Sequence, residues 1–105
     1  AQRRCLVPAS WYFEWEKRGK ERIKYAIAPE RQGLLTMAGL YRIELDTRTA
    51  SFVILTRDAA PGIAFIHDRM PVILPTELER AWLDPHNDPR EMLAAGEEKM
   101  TFRVA

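Results

Sequence analysis

Trp11-Tyr12-Phe13-Glu14-Trp15-Glu16-Lys17-Arg18-Gly19-Lys20-Glu21-Arg22-Ile23-Lys24-Tyr25-Ala26-Ile27-Ala28 is the stretch on which the fold turns. Residues 10–17 read as a strand, Gly19 marks a turn, and 22–28 alternate enough to return as the second strand of a hairpin. On the first strand Trp11, Phe13 and Trp15 share one side, while Tyr12 and Glu14 share the other. Glu14, flanked by this much apolar surface, is a candidate for general acid/base work, because desolvation disfavours the charged form of a carboxylate.

Upstream of the hairpin, Cys5-Leu6-Val7-Pro8 is a short apolar run in which Pro8 biases Val7 toward an extended backbone. Downstream, 29–33 reads as a loop and 34–44 as a further strand, where Gly39 suggests a bulge or a close backbone approach. Residues 51–56, with Phe52-Val53-Ile54-Leu55, form a continuous apolar run typical of a buried strand. Pro61-Gly62 breaks that pattern, and 58–65 has room for one irregular helical turn.

The last third reads as helical. Thr76 and Glu79 have capping-box spacing, Leu78, Ala81 and Trp82 fall on one face, and Asp84-Pro85 ends the helix. Asp88-Pro89-Arg90-Glu91 repeats a start signal, Gly96 stops the second helix, and 101–104 returns to the sheet. Strands first and helices later predict an α+β domain around an antiparallel or mixed sheet.

Length and composition bound the function. A chain of 105 residues, 47% apolar and 30% charged, is one globular domain rather than a disordered segment. No apolar run approaches the ~18 residues of a membrane span. Net charge is +1, yet residues 1–74 hold twelve Lys/Arg against eight Asp/Glu, and 75–105 hold four against seven. The basic excess is densest over 17–24, where it is either a phosphate-binding cluster or a solvated hairpin tip. A single cysteine excludes an internal disulfide and fits a reducing cytoplasm. One cysteine and two distant histidines make no metal-ligand set, and there is no phosphate-cradling glycine loop.

The second chemical segment is Ile66-His67-Asp68-Arg69-Met70-Pro71, which sets an imidazole two residues from a permanent cation. Each residue also has a structural reading. Glu14 faces solvent or pairs with Lys24 across the hairpin, His67 bonds backbone in a loop, Arg69 salt-bridges Asp68, and His86 belongs to a polar surface turn. Cys5 is read as a buried, inert thiol.

Arg4-Cys5-Leu6-Val7-Pro8-Ala9, Trp11 to Trp15, Leu35-Thr36-Met37-Ala38-Gly39-Leu40-Tyr41, Phe52-Val53-Ile54-Leu55-Thr56, Ile66 to Leu74 and Trp82-Leu83 follow one another in an order that resembles the SOS response-associated peptidase family. The resemblance runs from about residue 3 to residue 84 and implies a sheet-rich domain, partly barrel-like, with a basic channel for single-stranded DNA carrying abasic sites. It implies processing of those sites in the SOS response by a monomeric, cytoplasmic, cofactor-free protein. In the family the α-amine and thiol of an N-terminal cysteine trap the sugar aldehyde as a thiazolidine crosslink to DNA. It places Glu14 and His67 as catalytic residues, Thr56 as a polar partner near the glutamate, Arg69 on a DNA phosphate and Trp15 against a base.

Because the chain opens on Ala1, it is read as the C-terminal part of that domain, residues 1–105, lacking the nucleophile and leaving open strand edges. Cys5 is not that nucleophile, since the family has a structural residue at its position. Two other readings stand beside this one. The first is a cysteine-type peptidase acting on its own N-terminus. The second is a non-catalytic nucleic-acid-binding sheet using Trp11, Trp15 and the 17–24 cluster.

Overall fold

A computed structural model describes residues 3–31 and 33–105. Its strands are β1 (Arg3–Ala9), β2 (Tyr12–Arg18), β3 (Glu21–Pro29), β4 (Leu35–Glu44), β5 (Thr49–Ile54), β6 (Thr56–Asp58), β7 (Arg69–Pro71) and β8 (Met100–Val104). A 3-10 turn (Thr76–Leu78) leads into helix α1 (Glu79–Leu83), and α2 (Pro89–Ala94) follows. All described strand pairs are antiparallel, in sheets ordered β1-β4-β5, β2-β3-β8 and β6-β7, and the sheets do not close into a barrel. The α+β, sheet-rich expectation holds. The loop expected over 29–33 is partly strand and includes residue 32, which lies outside the described residues.

The hairpin forms as its sequence dictates. Gly19 takes a φ of 61° at the first turn position, where a two-residue connection between right-twisted strands needs a residue without a Cβ. Trp15 stands opposite Lys24 and Glu14 opposite Tyr25, so Lys24 shares a face with the indole and is not the partner of Glu14. β8 returns to pair with β3, in keeping with the expected return of 101–104 to the sheet.

One core unites the inner face of this sheet with β4 and the segment after β6. Tyr25, Ile27, Leu35, Met37, Ile63, Ile66, Met70 and Ile73 are all buried in it. A second cluster sets Trp82 and Met92 of the helices against Ala38, Val72 and Leu74. Trp82 donates from Nε1 to the Cys5 carbonyl at 2.9 Å, and Arg4 lies 5.0 Å from its ring centre while bonding the carbonyls of Asp84 and Asn87. The helices are therefore fastened to β1 at the edge and at one face of the indole.

Gly39 is no bulge but a close approach. It pairs with Cys5 on one side and Ile54 on the other, and an added Cβ would lie 3.0 Å from the Cys5 Sγ. Cys5 is partly buried there, a packing residue of β1.

Two local expectations are overturned. The run 51–56 is not one buried strand: β5 ends at Ile54, lies at a sheet edge and leaves Phe52 59% and Val53 55% exposed. A continuous apolar run is buried only when both faces are covered, and among the described residues no element covers β5. The capping box at Thr76 is not formed either. Pro75 occupies the cap, its carbonyl accepts from Leu78, and Thr76 falls inside the tightened turn, with no side-chain cap bond. At α2 the expected cap is made: Asp88 accepts from the Arg90 amide at 2.9 Å, with Pro89 in the first turn.

What positions the later chemical segment is the crossing at Leu55. Its N–H bonds the Ala38 carbonyl at 3.0 Å and its carbonyl accepts from Val72 at 2.9 Å. The β6-β7 ribbon is thereby stitched to β4, and consecutive turns from Ala60 to Ile66 bring the chain back toward the hairpin.

Candidate active site

Glu14 and His67 line one cleft of about 420 Å³ with Trp15, Lys17, Arg22, Phe65 and Ile66. Its floor on the hairpin side is the edge strand β2. There the Trp15 N–H turns to the carboxylate beside it, Glu14 Oε1, at 3.0 Å. Glu14 is half-buried, and strand alternation carries Trp11, Phe13 and Trp15 to the opposite, solvent-facing side. The aromatics expected to surround the carboxylate therefore do not enclose it.

Desolvation on the inner face comes from other residues. Tyr12, on the same side as Glu14, has its phenol held well above the usual range, first by burial and then by the Glu14 charge. Glu16, one step further along that face, is 9% exposed; it accepts from Tyr25 Oη at 2.9 Å and from Arg18 at 3.1 Å. The Tyr25 phenol is raised by its burial and by this bond, so it stays a neutral donor. Sequence reasoning missed Glu16. Its position two residues from Glu14, on the same strand face, was the available signal.

The opposite wall is set by aromatic packing. Phe65 meets Tyr25 edge-on at 5.8 Å and Phe102 at 5.1 Å, which fixes the backbone just before His67. His67 Nδ1 accepts from the Arg69 backbone N–H at 3.1 Å and lies 3.3 Å from Asp68 Oδ1. A lone pair on Nδ1 leaves the proton of the neutral ring on Nε2. The ring thus keeps a donor for a substrate.

Thr56 and Arg69 form a group of their own on the β6-β7 ribbon. Arg69 donates to Asp58 Oδ1 at 2.6 Å and to the Thr56 hydroxyl at 3.1 Å, so its ion pair is with Asp58 rather than Asp68. Neither Thr56 nor Arg69 lines the cleft; the link is the Arg69 N–H on His67. Lys17 and Arg22, which stand opposite each other on the hairpin, supply cations that the sequence marked only as a basic cluster. His86 is an exposed surface residue on Asp84, as its polar turn implies.

A family model described as SOS response associated peptidase (SRAP) matches residues 1–104. The chain belongs to the SOS response-associated peptidase family. Within the family it is 37% identical over 90 residues to the abasic site processing protein YoqW of Bacillus subtilis, covering 81% of this chain and 40% of that protein. It is 34% identical over 85 residues to the abasic site processing protein YMR114C of Saccharomyces cerevisiae, covering 79% of this chain and 23% of that one. A solved structure of a protein from Bacteroides thetaiotaomicron superposes on 97% of this chain and 49% of its own, with a TM-score of 0.81 and 33% identity. The SRAP chain described here thus spans less than half the length of each.

Proposed function

We propose that this chain supplies the proton-transfer half of a centre that processes abasic sites in single-stranded DNA. The observation that carries the reading is the meeting of Glu14 and His67 in one cleft, in a family whose named relatives process abasic sites. An abasic sugar exposes its aldehyde only after a proton leaves the C1′ hydroxyl and another reaches the ring oxygen. A carboxylate and an imidazole facing one cavity can share these two transfers, with Glu14 taking one proton as base and His67, in its imidazolium form, giving the other and being left as the neutral ring.

An amine then adds to the aldehyde carbon, and the resulting hydroxyl leaves as water once protonated, giving an imine. Addition of a thiol to the imine carbon, with its proton passing to nitrogen, closes a thiazolidine. In the family these groups belong to an N-terminal cysteine. Cys5 is not that group, because it packs on Gly39 within β1 and lies outside the cleft. The cleft also holds no thiol or hydroxyl among its lining residues, which weighs against a peptidase built from this chain's own residues. Arg69, Lys17 and Arg22 would meet phosphates beside the lesion, and Trp15 a neighbouring base.

The test is adduct formation between the full-length protein and a single-stranded oligonucleotide with one abasic site, followed on denaturing gels. Glu14→Gln and His67→Gln are each expected to slow it by roughly 10²–10⁴-fold, the usual worth of a positioned acid or base. Unchanged rates in both variants would refute the assignment. So would a stoichiometric adduct formed by residues 1–105 alone.

A further inference from the structure

The outer face of the β2-β3-β8 sheet is chemically unlike the rest of the surface. Cross-strand pairing places Phe13 beside Ala26 and Arg103, Trp15 beside Lys24, and Lys17 beside Arg22, all on the same side. Trp11 continues the row just before β2. Among the described residues that pairing brings to this side there is no Asp or Glu, and none of the four cations is in an ion pair. Trp11, Phe13 and Trp15 are each about half exposed, at 46%, 49% and 48%. The cations lie against these rings: Lys24 Nζ is 4.1 Å from the Phe13 centre and 5.8 Å from that of Trp15, and Arg103 is 5.7 Å from Trp11.

We propose that this face is a stacking platform for single-stranded DNA: bases lie on Trp11, Phe13 and Trp15, and the cations between them hold the phosphates. A row of half-exposed rings interleaved with cations outside any ion pair matches the two parts of a nucleotide, its π-face and its charge. An acidic peptide would use the cations but leave three aromatic rings in water. A duplex would hide its base faces, stacked about 3.4 Å apart. The Trp11 and Phe13 rings stand 6.5 Å apart and at 70° to one another, so they present their faces to separate bases rather than to one continuous stack.

The platform also continues into the cleft. Trp15, Lys17 and Arg22 belong to both: Trp15 and Lys17 lie on the edge strand β2, and Arg22 stands opposite Lys17 near the hairpin turn. A strand leaving the cleft would cross that edge onto the face. The proposal rests on the reading above for where the strand comes from, but the platform's affinity needs no lesion.

Binding of the full-length protein to a labelled, undamaged oligothymidylate, read by anisotropy, tests it. Trp11→Ala with Phe13→Ala is expected to weaken binding by roughly thirty-fold or more, as loss of stacking on two bases does. Lys24→Gln is expected to lower the salt slope of log K by about 0.7, one phosphate's worth on a single strand. Phe52→Ala, exposed on the other sheet, serves as the control and leaves both unchanged.

Affinity within about twofold of the parent for the aromatic variant, with an unaltered slope for Lys24→Gln, overturns the platform. A concentration-dependent dimer that the aromatic variant dissolves overturns it too, since the face is then a protein interface. The two readings fail separately. A defective acid/base site gives normal affinity for undamaged DNA with no adduct, and a missing platform gives an adduct with affinity insensitive to the rings.

Discussion

Replacing Gly39 by alanine asks whether the contact of three strands at that position is as tight as the structure has it. The backbone there is ordinary extended chain, so the substitution brings no dihedral strain. The new methyl would lie 3.0 Å from the Cys5 Sγ, 3.2 Å from the Val53 carbonyl oxygen and 3.4 Å from a Val7 methyl. Comfortable separations between carbon atoms are about 3.5–4.0 Å, so the sulfur contact is the shortest and worst. Overpacking of this kind costs about 1–3 kcal/mol. Loss of glycine's freedom in the unfolded chain offsets about 0.4–1 kcal/mol.

The net expectation is a destabilisation of about 1–2 kcal/mol, measured by urea unfolding as a shift of midpoint at constant slope. Cys5→Ala removes the sulfur and leaves the Val53 oxygen in place. In that background Gly39→Ala should cost less, with a coupling of at least about 0.5 kcal/mol. Additive single and double variants, or a stabilised Gly39→Ala, would refute the close-approach reasoning.

Two further outcomes follow from the surroundings of the site. The Tyr12 hydroxyl is buried without a hydrogen-bond partner among the described residues, so Tyr12→Phe should raise stability by about 1 kcal/mol in thermal unfolding; a loss would mean the phenol is bonded in the folded protein. Asp88 is held below the usual carboxylate range, first by the Arg90 side chain and then by the Arg90 amide it caps. Its folded pKa is thus below the unfolded one, so its contribution is full above the ordinary Asp range and disappears as pH falls through the depressed value. Asp88→Asn keeps a capping oxygen and removes the charge. The variant should be less stable than the parent at neutral pH and converge with it in acid, and a gap that persists in acid would contradict the charge argument.

Much of the architecture was legible because it is local. Alternation around Glu14, the glycine at the hairpin turn and the Asp88-Pro89 cap each act within a few residues, and each formed as read. The site residues were legible as types at motif positions, Glu14 and His67 above all. The failures share a cause. An apolar run such as 51–56 says nothing about which faces will be covered, and the capping spacing at Thr76 was overridden by the tighter turn at Pro75.

What the sequence alone determined, then, is the hairpin, the long strand after it, the two short helices and the chemical identity of an acid, an imidazole and a row of cations and rings. Only the tertiary structure decided which of them meet. The crossing at Leu55 and the packing of Phe65 on Tyr25 carry His67 to Glu14, while the β2 edge turns Trp15 and the cations outward. The physical reason is that propensity and alternation are fixed by neighbours in the chain. The residues that face each other across this cleft are 40 or more positions apart, and packing, which has no period in the sequence, selects them.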